Sequence, residues 1–229
     1  MKILCTICAR SNSKGLKNKN FLKIRGKSLI EHTIELATNS KIFKDIVVSV
    51  NKKNNFISKK NRKKIHFIKR PEILARQNSN KIDAIRHAYK ETKKIKQNEY
   101  DIICDLDVSS PLRNIKDIKN SVNKFKRDKA NILFTVSVSK KNPYFNIVEK
   151  NKKKILLVKK GKNIHNRQKA PITYDMNASI YIWKKNYLLK SNNLFGNKTS
   201  IFVMPPERSI DIDSKFDFEL VKYLFKKNE

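Results

Sequence analysis

A cluster of cations and small polar side chains follows the first apolar run of this sequence. After "ILCTIC" (residues 3–8) comes "ARSNSKGLKNKN" (9–20), in which four side chains could neutralise a polyphosphate: Arg10, Lys14, Lys17 and Lys19. Gly15 suggests a tight turn or a close approach of the backbone to a ligand, and Ser11 and Ser13 could donate to phosphate oxygens. The spacing matches neither the P-loop nor the dinucleotide-binding pattern. A solvated surface loop is the alternative interpretation.

A pair of carboxylates near the other end of the chain could hold a metal ion. Asp211 and Asp213 stand two apart in "SIDIDS" (209–214). On an extended segment this spacing puts both side chains on the same side, and carboxylate oxygens are the ligands that divalent cations prefer. The alternative is that Asp213 or Asp217 caps the helix that follows. Asp105 and Asp107 form a second acidic pair at the end of an apolar run, which is another possible metal contact. The alternative is that nearby backbone groups satisfy Asp107.

The elements that must position these groups alternate between strands and helices. Strands are predicted at 3–8, 45–50, 65–69, 100–107, 131–138, 177–183 and 199–205. Apolar residues at helical spacing predict helices over 28–40 and 81–95, and a last helix is predicted over 214–225, with Ser214 and Asp217 as a capping box. This alternation predicts an α/β fold with a doubly wound, mostly parallel sheet. Ligands of such sheets bind beyond the carboxyl ends of the strands, where the loop at 9–20 leaves the first strand.

The alternation is interrupted after residue 140. The segment "NPYFNIVEKNKKKILLVKKGKN" (142–163) predicts two short strands around a Lys-rich turn, with little room for a crossover helix. We therefore expect one domain over 1–229, with 140–175 as an antiparallel excursion that could serve as an oligomerisation arm.

The composition is strongly basic, with a formal charge of +33. Such a charge would ordinarily favour a nucleic-acid partner. However, ten of the 53 basic residues are Arg, which leaves 43 Lys spread along the whole chain. A dedicated nucleic-acid binder more often concentrates Arg, because its planar fork grips phosphates and bases. We expect no specific nucleic-acid partner.

The cysteines indicate a reducing compartment, and the hydropathy argues against a membrane-spanning segment. The chain has three cysteines, an odd number that argues against a disulfide scaffold. Cys5 and Cys8 should lie on opposite faces of a strand, which excludes a shared metal or redox pair. No apolar run approaches the roughly 20 residues that cross a bilayer, and the start lacks the features of a signal peptide. A cytoplasmic protein without a membrane partner is expected.

Six segments in series resemble the cytidylyltransferases that activate sialic acids and related nine-carbon acidic sugars as CMP conjugates. They are "ARSNSKGLKNKN" (9–20), "RPEILA" (70–75), "SSPLR" (109–113), "NPYFNIVE" (142–149), "YDMNASIYIW" (174–183) and "RSIDIDSKFDFE" (208–219). The resemblance runs from about residue 3 to 225. It implies attack of the sugar's anomeric hydroxyl on the α-phosphorus of CTP, with release of pyrophosphate, a Rossmann-like nucleotidyltransferase fold and a homodimer. Where the commoner sialate pattern has Gln, this chain has Asp107, which is more similar to the branch that acts on legionaminic acid.

The resemblance also implies roles for individual residues. The nucleotide would be held by Arg10, Ser13, Lys14, Lys19 and Asn20, with Arg70 and Lys81 near the cytosine and Arg113 reaching the nucleotide or fixing its loop. Asp211 and Asp213 would bind Mg²⁺, and one of them would help to deprotonate the sugar hydroxyl. The sugar would be met by Asp107, Arg167, Gln168, Asn177 and Tyr181, and by Phe195 reaching into the partner subunit's pocket. For Phe195 the alternative is core packing, and Lys17 is expected to be surface.

Two other functions compete with this interpretation. A lysine-rich nucleic-acid-binding protein without enzymatic activity would show steep salt-dependent affinity, but it leaves "SIDID" and "YDMNAS" unexplained. A nucleotidyltransferase for another sugar, such as pseudaminate, would keep the same fold.

Overall fold

The computed structural model describes residues 1–10, 15–51, 65–76, 78–161, 164 and 166–227. Eleven strands and five helices lie in these ranges. The strands are β1 (Ile3–Ala9), β2 (Lys23–Ile24), β3 (Lys27–Ser28), β4 (Asp45–Val50), β5 (Ile65–Lys69), β6 (Ile102–Leu106), β7 (Ile132–Val138), β8 (Val148–Asn151), β9 (Lys154–Leu157), β10 (Tyr174–Lys184) and β11 (Thr199–Val203). The helices are α1 (Leu29–Ser40), α2 (Lys81–Lys96), α3 (Ile115–Arg127), α4 (Lys185–Lys190) and α5 (Lys215–Lys227).

Seven strands form one sheet in the order β11-β7-β10-β6-β1-β4-β5. All neighbours pair in parallel except β10, which runs antiparallel to both β6 and β7. The chain starts in the middle of the sheet, moves outward through β4 and β5, and then returns through β6 to build the other half. The predicted doubly wound, mostly parallel sheet is confirmed.

Helices cover both faces of this sheet. On one face, α1, α3 and α5 bury Ile34, Val122 and Val221 against β1 and its neighbours. On the other face, α2 and α4 bury Ile85 and Leu188. Because both faces are covered, the central strands are apolar along nearly their whole length. None of the helices in the described ranges is both long and apolar enough to cross a membrane.

Local sequence explains where the helices begin. Ser28 and Glu31 form a capping box before α1, and Asn114 and Asp117 form another before α3. The predicted box of Ser214 and Asp217 is confirmed, since Asp217 Oδ2 accepts from the Ser214 N–H at 2.8 Å and the Asp217 N–H donates to Ser214 Oγ at 3.2 Å. Helices α3 and α4 and the short pair β2–β3 were not predicted from the sequence.

The excursion after β7 is also present. Strands β8 and β9 pair antiparallel as a separate two-stranded sheet, and β10 then returns to the main sheet. Strand β10 has an irregular register between Met176 and Tyr181, where Ala178 adopts a positive φ of 53°. Cys5 and Cys8 pack into the cores on opposite faces of the sheet, as their spacing predicted.

Candidate active site

A cleft of about 350 Å³ opens at the carboxyl ends of β1, β5 and β6. This is the edge at which parallel α/β sheets bind their ligands. Residues of the loop after β1, the start of α2, the end of β6 and the segment before α5 line the cleft. The charged and polar side chains among them are Arg10, Lys19, Asn20, Arg70, Ser79, Asn80, Lys81, Asp107, Ser109, Asp211 and Asp213.

Arg10 and residues 15–20, the described parts of the loop after β1, lie at the wall of the cleft. Arg10 donates from Nη1 to the carbonyl of Arg76 at 3.2 Å, and buried Asn20 donates to the carbonyl of Arg10 at 3.0 Å. These bonds hold the exit of β1 and leave the Arg10 guanidinium lining the cleft. Three predicted residues, Ser11, Ser13 and Lys14, lie outside the described residues. Lys17 is exposed, as expected.

This loop touches the acidic segment from the other end of the chain. Lys19 Nζ lies 2.9 Å from Asp213 Oδ1. Gly15 packs so closely on the same residue that a Cβ on it would stand 2.3 Å from the Asp213 carbonyl oxygen. The sequence predicted a tight turn or a close approach to a ligand at Gly15; the close approach that the structure shows is to the protein's own backbone. Residues almost 200 positions apart in sequence form one wall.

The acidic segment is anchored by the residue between its two aspartates. Ile212 is fully buried in the core beneath α1 and α5, and its N–H donates to the Ser109 carbonyl at 2.9 Å. Ile212 is buried, whereas Asp211 and Asp213 on either side of it both line the cleft, the alternation expected where successive side chains point to opposite sides. The predicted common orientation of the two carboxylates is confirmed.

The two carboxylates differ in environment. The Asp213 side chain is 77% exposed. Asp211 Oδ1 is buried and has no hydrogen-bond partner within the described part of the chain. Burial, and then the charge of Asp107, raise the pKa of Asp211 above its ordinary value. An unpartnered buried carboxylate oxygen beside an exposed carboxylate suits a cation.

The protein supplies only part of the oxygen ligands that a magnesium ion needs. Across the described ranges, no group of three or more His, Cys, Asp or Glu side chains is arranged to hold a metal. Two hard carboxylates are nevertheless the usual protein share of a magnesium site, since this ion keeps several waters and takes further oxygens from phosphates. Asp211 and Asp213 are thus sufficient for a metal that arrives with a polyphosphate.

Lys81 joins the two carboxylates at the end of β6. Its Nζ lies 3.0 Å from Asp105 Oδ2 and is also paired with Asp107 Oδ2. Burial alone would favour the neutral amine, but the charges of Asp105 and Asp107 raise the pKa of Lys81. Burial likewise opposes ionisation of Asp107, yet the Lys81 charge and the donors of Ser109 hold the pKa of Asp107 well below its ordinary range. The pair stays charged at any pH near neutrality.

Arg70 and Tyr181 flank this group. Arg70 is almost fully buried and donates from Nε to Ser49 Oγ at 3.1 Å and from Nη2 to the Ser49 carbonyl at 3.0 Å. The Tyr181 ring lies 5.4 Å from Lys81 Nζ and stacks on Trp183. Arg70 lines the cleft, and Tyr181 lies behind Lys81.

Arg113 and Asn177 lie outside the lining of this cleft and support it from behind. Arg113 is buried and donates to the carbonyls of Asp107 and Ser179. Asn177 accepts from Thr135 Oγ1 at 2.6 Å and donates to Ser209 Oγ at 3.0 Å. Of the two roles left open for Arg113, the geometry supports fixing the loop.

The remaining predicted sugar contacts are on the surface of the single chain. Arg167 and Gln168 lie in an exposed 3-10 helix, Arg167–Lys169. Phe195 is 69% exposed and makes one edge contact with Phe134, so core packing does not account for it. The chain alone does not bring these three side chains to the cleft.

Some residues of the cleft were not predicted from the sequence. Ser109 donates to Asp107 Oδ1 from its N–H at 2.9 Å and from its hydroxyl at 2.7 Å. Asn80 caps α2 by accepting from the Ile82 N–H at 3.0 Å, which places Lys81 in the first turn. Ser109 lies in a quoted segment, "SSPLR", and Asn80 has the residue type that begins helices, so both had a usable signal.

Comparisons with known proteins agree with this geometry. A family model described as "Cytidylyltransferase" matches residues 4–226. A CMP-N,N'-diacetyllegionaminic acid synthase of Campylobacter jejuni is 41% identical over 97% of this chain and 94% of its own length. A post-translational flagellin modification protein B of Campylobacter coli is 40% identical, covering 98% and 95%. A pseudaminic acid cytidylyltransferase of Campylobacter jejuni is 29% identical, covering 100% and 98%.

The fold also has a solved counterpart. A CMP:2-keto-3-deoxy-manno-octonic acid synthetase complexed with CTP superimposes with a TM-score of 0.68 at 16% identity, covering 100% of both chains. At this identity the likeness speaks for the fold alone. The family model and the two relatives at 40% or more speak for the family. This chain is a nucleotidyltransferase and belongs to the cytidylyltransferase family.

Proposed function

We propose that this protein transfers CMP from CTP to the anomeric hydroxyl of a nine-carbon acidic sugar of the legionaminic type and releases pyrophosphate. The legionaminic relative is more similar to this chain than the pseudaminic relative, which supports that order of substrates. Pseudaminate is the second candidate. Family membership also favours an enzyme over a lysine-rich nucleic-acid-binding protein.

The observation that carries the proposal is the junction of the loop after β1 with the acidic segment before α5. Lys19 and Gly15 contact Asp213 directly. Cations and carboxylates therefore line one cleft, where the triphosphate and its metal must meet. Most catalysis in phosphoryl transfer is positioning and charge stabilisation, and this junction supplies the groups for both.

We assign the nucleotide to the loop side of the cleft. Arg10, Ser13, Lys14, Lys19 and Asn20 would hold the triphosphate, and Arg70 would face the base. Asp211 and Asp213 would hold Mg²⁺, which when bound neutralises charge on the phosphate oxygens. Asp213 is the more exposed carboxylate, so it is the better placed to take the proton of the attacking hydroxyl.

We assign the sugar to the Asp107 side of the cleft. Asp107 lines the cleft, and although burial opposes its ionisation, the Lys81 charge lowers its pKa and keeps it ionised near neutral pH, so it can accept from a sugar hydroxyl or amide. Arg167, Gln168 and Phe195 are exposed on the single chain. Their assignment to the sugar site therefore depends on a second subunit.

A homodimer would use the apolar face of the excursion. Val148 pairs with Leu157 across the hairpin, Ile155 lies on the same face, and all three are exposed. Nearby, Val138 and Tyr174 pair across β7 and β10 and are exposed as well. Exposed apolar patches of this kind mark interaction surfaces. A second copy of the chain would cover this face and bring Phe195 to a neighbouring site.

The dimer is tested with a matched pair of variants. Ile155→Lys places a charge on the proposed interface, and Ile95→Lys does the same at an equally exposed position, 61% in both cases, on α2. We expect light scattering to give a monomer for Ile155→Lys and a dimer for Ile95→Lys and the unaltered chain. A monomeric unaltered chain would exclude the dimer.

The activity is tested by pyrophosphate release from CTP with Mg²⁺ and a panel of nonulosonic acids. We expect turnover with the legionaminic acid to exceed that with pseudaminate or neuraminate. Lys19→Ala should lower kcat/KM for CTP by about 100-fold or more, whereas Lys17→Ala, in the same loop but exposed, should change it less than about twofold. Pyrophosphate release that does not require an acidic sugar would refute the assignment. Salt-dependent retention on DNA without turnover would support the nucleic-acid alternative.

A cytoplasmic location follows from the same proposal. The substrate CTP is made in the cytoplasm, and Cys5, Cys8 and Cys104 are free thiols, which supports a reducing compartment.

A further inference from the structure

An ammonium group lies between two carboxylates at the floor of the cleft. Lys81 Nζ is 3.0 Å from Asp105 Oδ2 and contacts Asp107 Oδ2. Asp105 is fully buried, while the Lys81 side chain is 36% exposed toward the cleft. The ammonium therefore stands between a buried carboxylate and the space where the ligands bind.

Both carboxylates are held in place on their other side. Asp105 Oδ1 accepts from Thr6 Oγ1 on β1 at 2.7 Å. Asp107 Oδ1 accepts from the N–H and the hydroxyl of Ser109 at 2.9 and 2.7 Å. These bonds leave the two Oδ2 atoms turned toward a common point, and Lys81 occupies that point.

The position of Lys81 is itself fixed by the fold. It is the first residue of α2, after the cap Asn80, and its ammonium lies over the Tyr181 ring at 5.4 Å. The start of α2 thus directs the Lys81 side chain toward the two carboxylates, and the Tyr181 ring packs against its ammonium. The position of Lys81 therefore does not depend on a ligand.

Two carboxylates that converge on one point form a common divalent-cation site, and many phosphate-transfer enzymes use two such ions side by side. The remaining carboxylates of the cleft, Asp211 and Asp213, form a separate pair. In this chain the first pair already lies against a cation of its own, the Lys81 ammonium. Asp105 Oδ2 and Asp211 Oδ1 each lack a hydrogen-bond partner in the described residues, but Asp105 Oδ2 lies 3.0 Å from Lys81 Nζ as an ion pair.

We propose that Lys81 is a positioning residue that takes the place of a second divalent cation. Its ammonium neutralises Asp105 and Asp107 and excludes metal from them. Metal binding is then confined to Asp211 and Asp213, a metal site that rests on the function proposed above. Asp107 consequently serves the sugar and does not bind the metal.

The experiment counts and locates Mn²⁺ ions without measuring turnover. Electron paramagnetic resonance of free Mn²⁺ gives the number bound per chain, and anomalous diffraction from crystals soaked in Mn²⁺ gives the positions. Lys81→Met, which keeps the length of the side chain and removes its charge, should gain an additional Mn²⁺ between Asp105 and Asp107. The control Lys90→Met removes an exposed lysine of the same helix and should gain none. The double variant Lys81→Met with Asp107→Asn should lose the additional ion again.

Two results would overturn the proposal. Failure of folded Lys81→Met to gain an ion is one, and Mn²⁺ between Asp105 and Asp107 of the unaltered chain is the other. The second measurement needs no variant, so it applies even where Lys81→Met does not fold. Absence of Mn²⁺ at Asp211 and Asp213 of the unaltered chain, by contrast, would overturn the metal site of the proposed function. The role of Lys81 would then still be decided by whether Lys81→Met gains an ion and Lys90→Met does not.

Discussion

Replacement of Gly15 by Ala should impair catalysis and also lower stability. The added Cβ would stand 2.3 Å from the Asp213 carbonyl oxygen, where ordinary contact begins near 3.4 Å, so the loop and the acidic segment must separate by about 1 Å. A misplacement of this size can cost up to about 100-fold in rate. We expect kcat/KM to fall by roughly 10- to 100-fold, which corresponds to about 1.4 to 2.8 kcal/mol of transition-state stabilisation. Because the atom met is backbone and cannot swing aside, the free energy of unfolding should also fall, by about 0.5 to 3 kcal/mol.

Gly26 provides the matched control. It has a φ of +76°, and a Cβ there would meet nothing within 4 Å. Gly26→Ala should therefore cost about 1 to 2 kcal/mol of stability through backbone strain, which lowers Tm by about 2–4 °C per kcal/mol in a chain of this length. Its kcat/KM should not change. Pyrophosphate release and urea denaturation of both variants give the two quantities. Unchanged kcat/KM in Gly15→Ala would show that this contact does not position the site.

Three further predictions concern charges. Arg208→Met breaks a two-bond ion pair with buried Asp117, at 2.9 and 3.0 Å, and should cost about 2 to 4 kcal/mol in urea denaturation, whereas Arg127→Met, with a largely exposed side chain, should cost less than about 0.5 kcal/mol. Asp211→Asn should stabilise the protein by about 1 kcal/mol at pH 7, because burial raises the pKa of Asp211 and its ionised form is unfavourable. This gain, measured by calorimetry, should shrink as the pH falls through that raised pKa, since the native carboxyl then takes up its proton. Asp213→Asn, at an exposed position, should show no gain at pH 7 or below the pKa of Asp211. For the same reason Mn²⁺ should bind about tenfold more weakly for each pH unit below the pKa of Asp211, and a pH-independent dissociation constant would contradict the assignment of this ligand.

The sheet was predictable because its strands are nearly continuous apolar runs. The predicted bounds of β4 and β5 agree with the structure, and β6 is shorter than predicted only by its polar ends. Such runs arise where helices cover both faces of a parallel sheet. The buried face of α1 was also predicted, because Leu29, Ile30, Thr33, Ile34 and Ala37 follow the spacing of a helix.

Helix α3 was missed although its signal is present in the sequence. Its buried stripe consists of Ile118, Val122 and Phe125, and Ser121 lies within the stripe. Three apolar residues among so many lysines and asparagines give a narrow pattern, although the capping box of Asn114 and Asp117 marks the start. The helix is stable because tertiary packing against the sheet adds what local propensity lacks.

The site was predictable as a set of segments but not as a set of side chains. Arg113 and Asn177 belong to the quoted motifs, yet both face the interior and hold the backbone of Asp107 and the irregular turn of β10. A motif gives the type and order of its residues and cannot tell a side chain that meets the ligand from one that fixes the loop. The same limit applies to Lys81, whose partners Asp105 and Asp107 come from a strand more than 20 residues away.

The alternation in "SIDID" explains how a hydrophobic residue builds an ionic site. Ile212 contributes a fully buried side chain to the core, and its N–H bonds the Ser109 carbonyl beside β6. Burial of such a side chain contributes about 1.5–3 kcal/mol, which offsets the cost of holding two like charges near each other. Since Ser109 also donates to Asp107, one residue ties the acidic segment to Asp107 on the other side of the cleft. The carboxylates are therefore positioned by the packing of Ile212 before any metal or nucleotide binds.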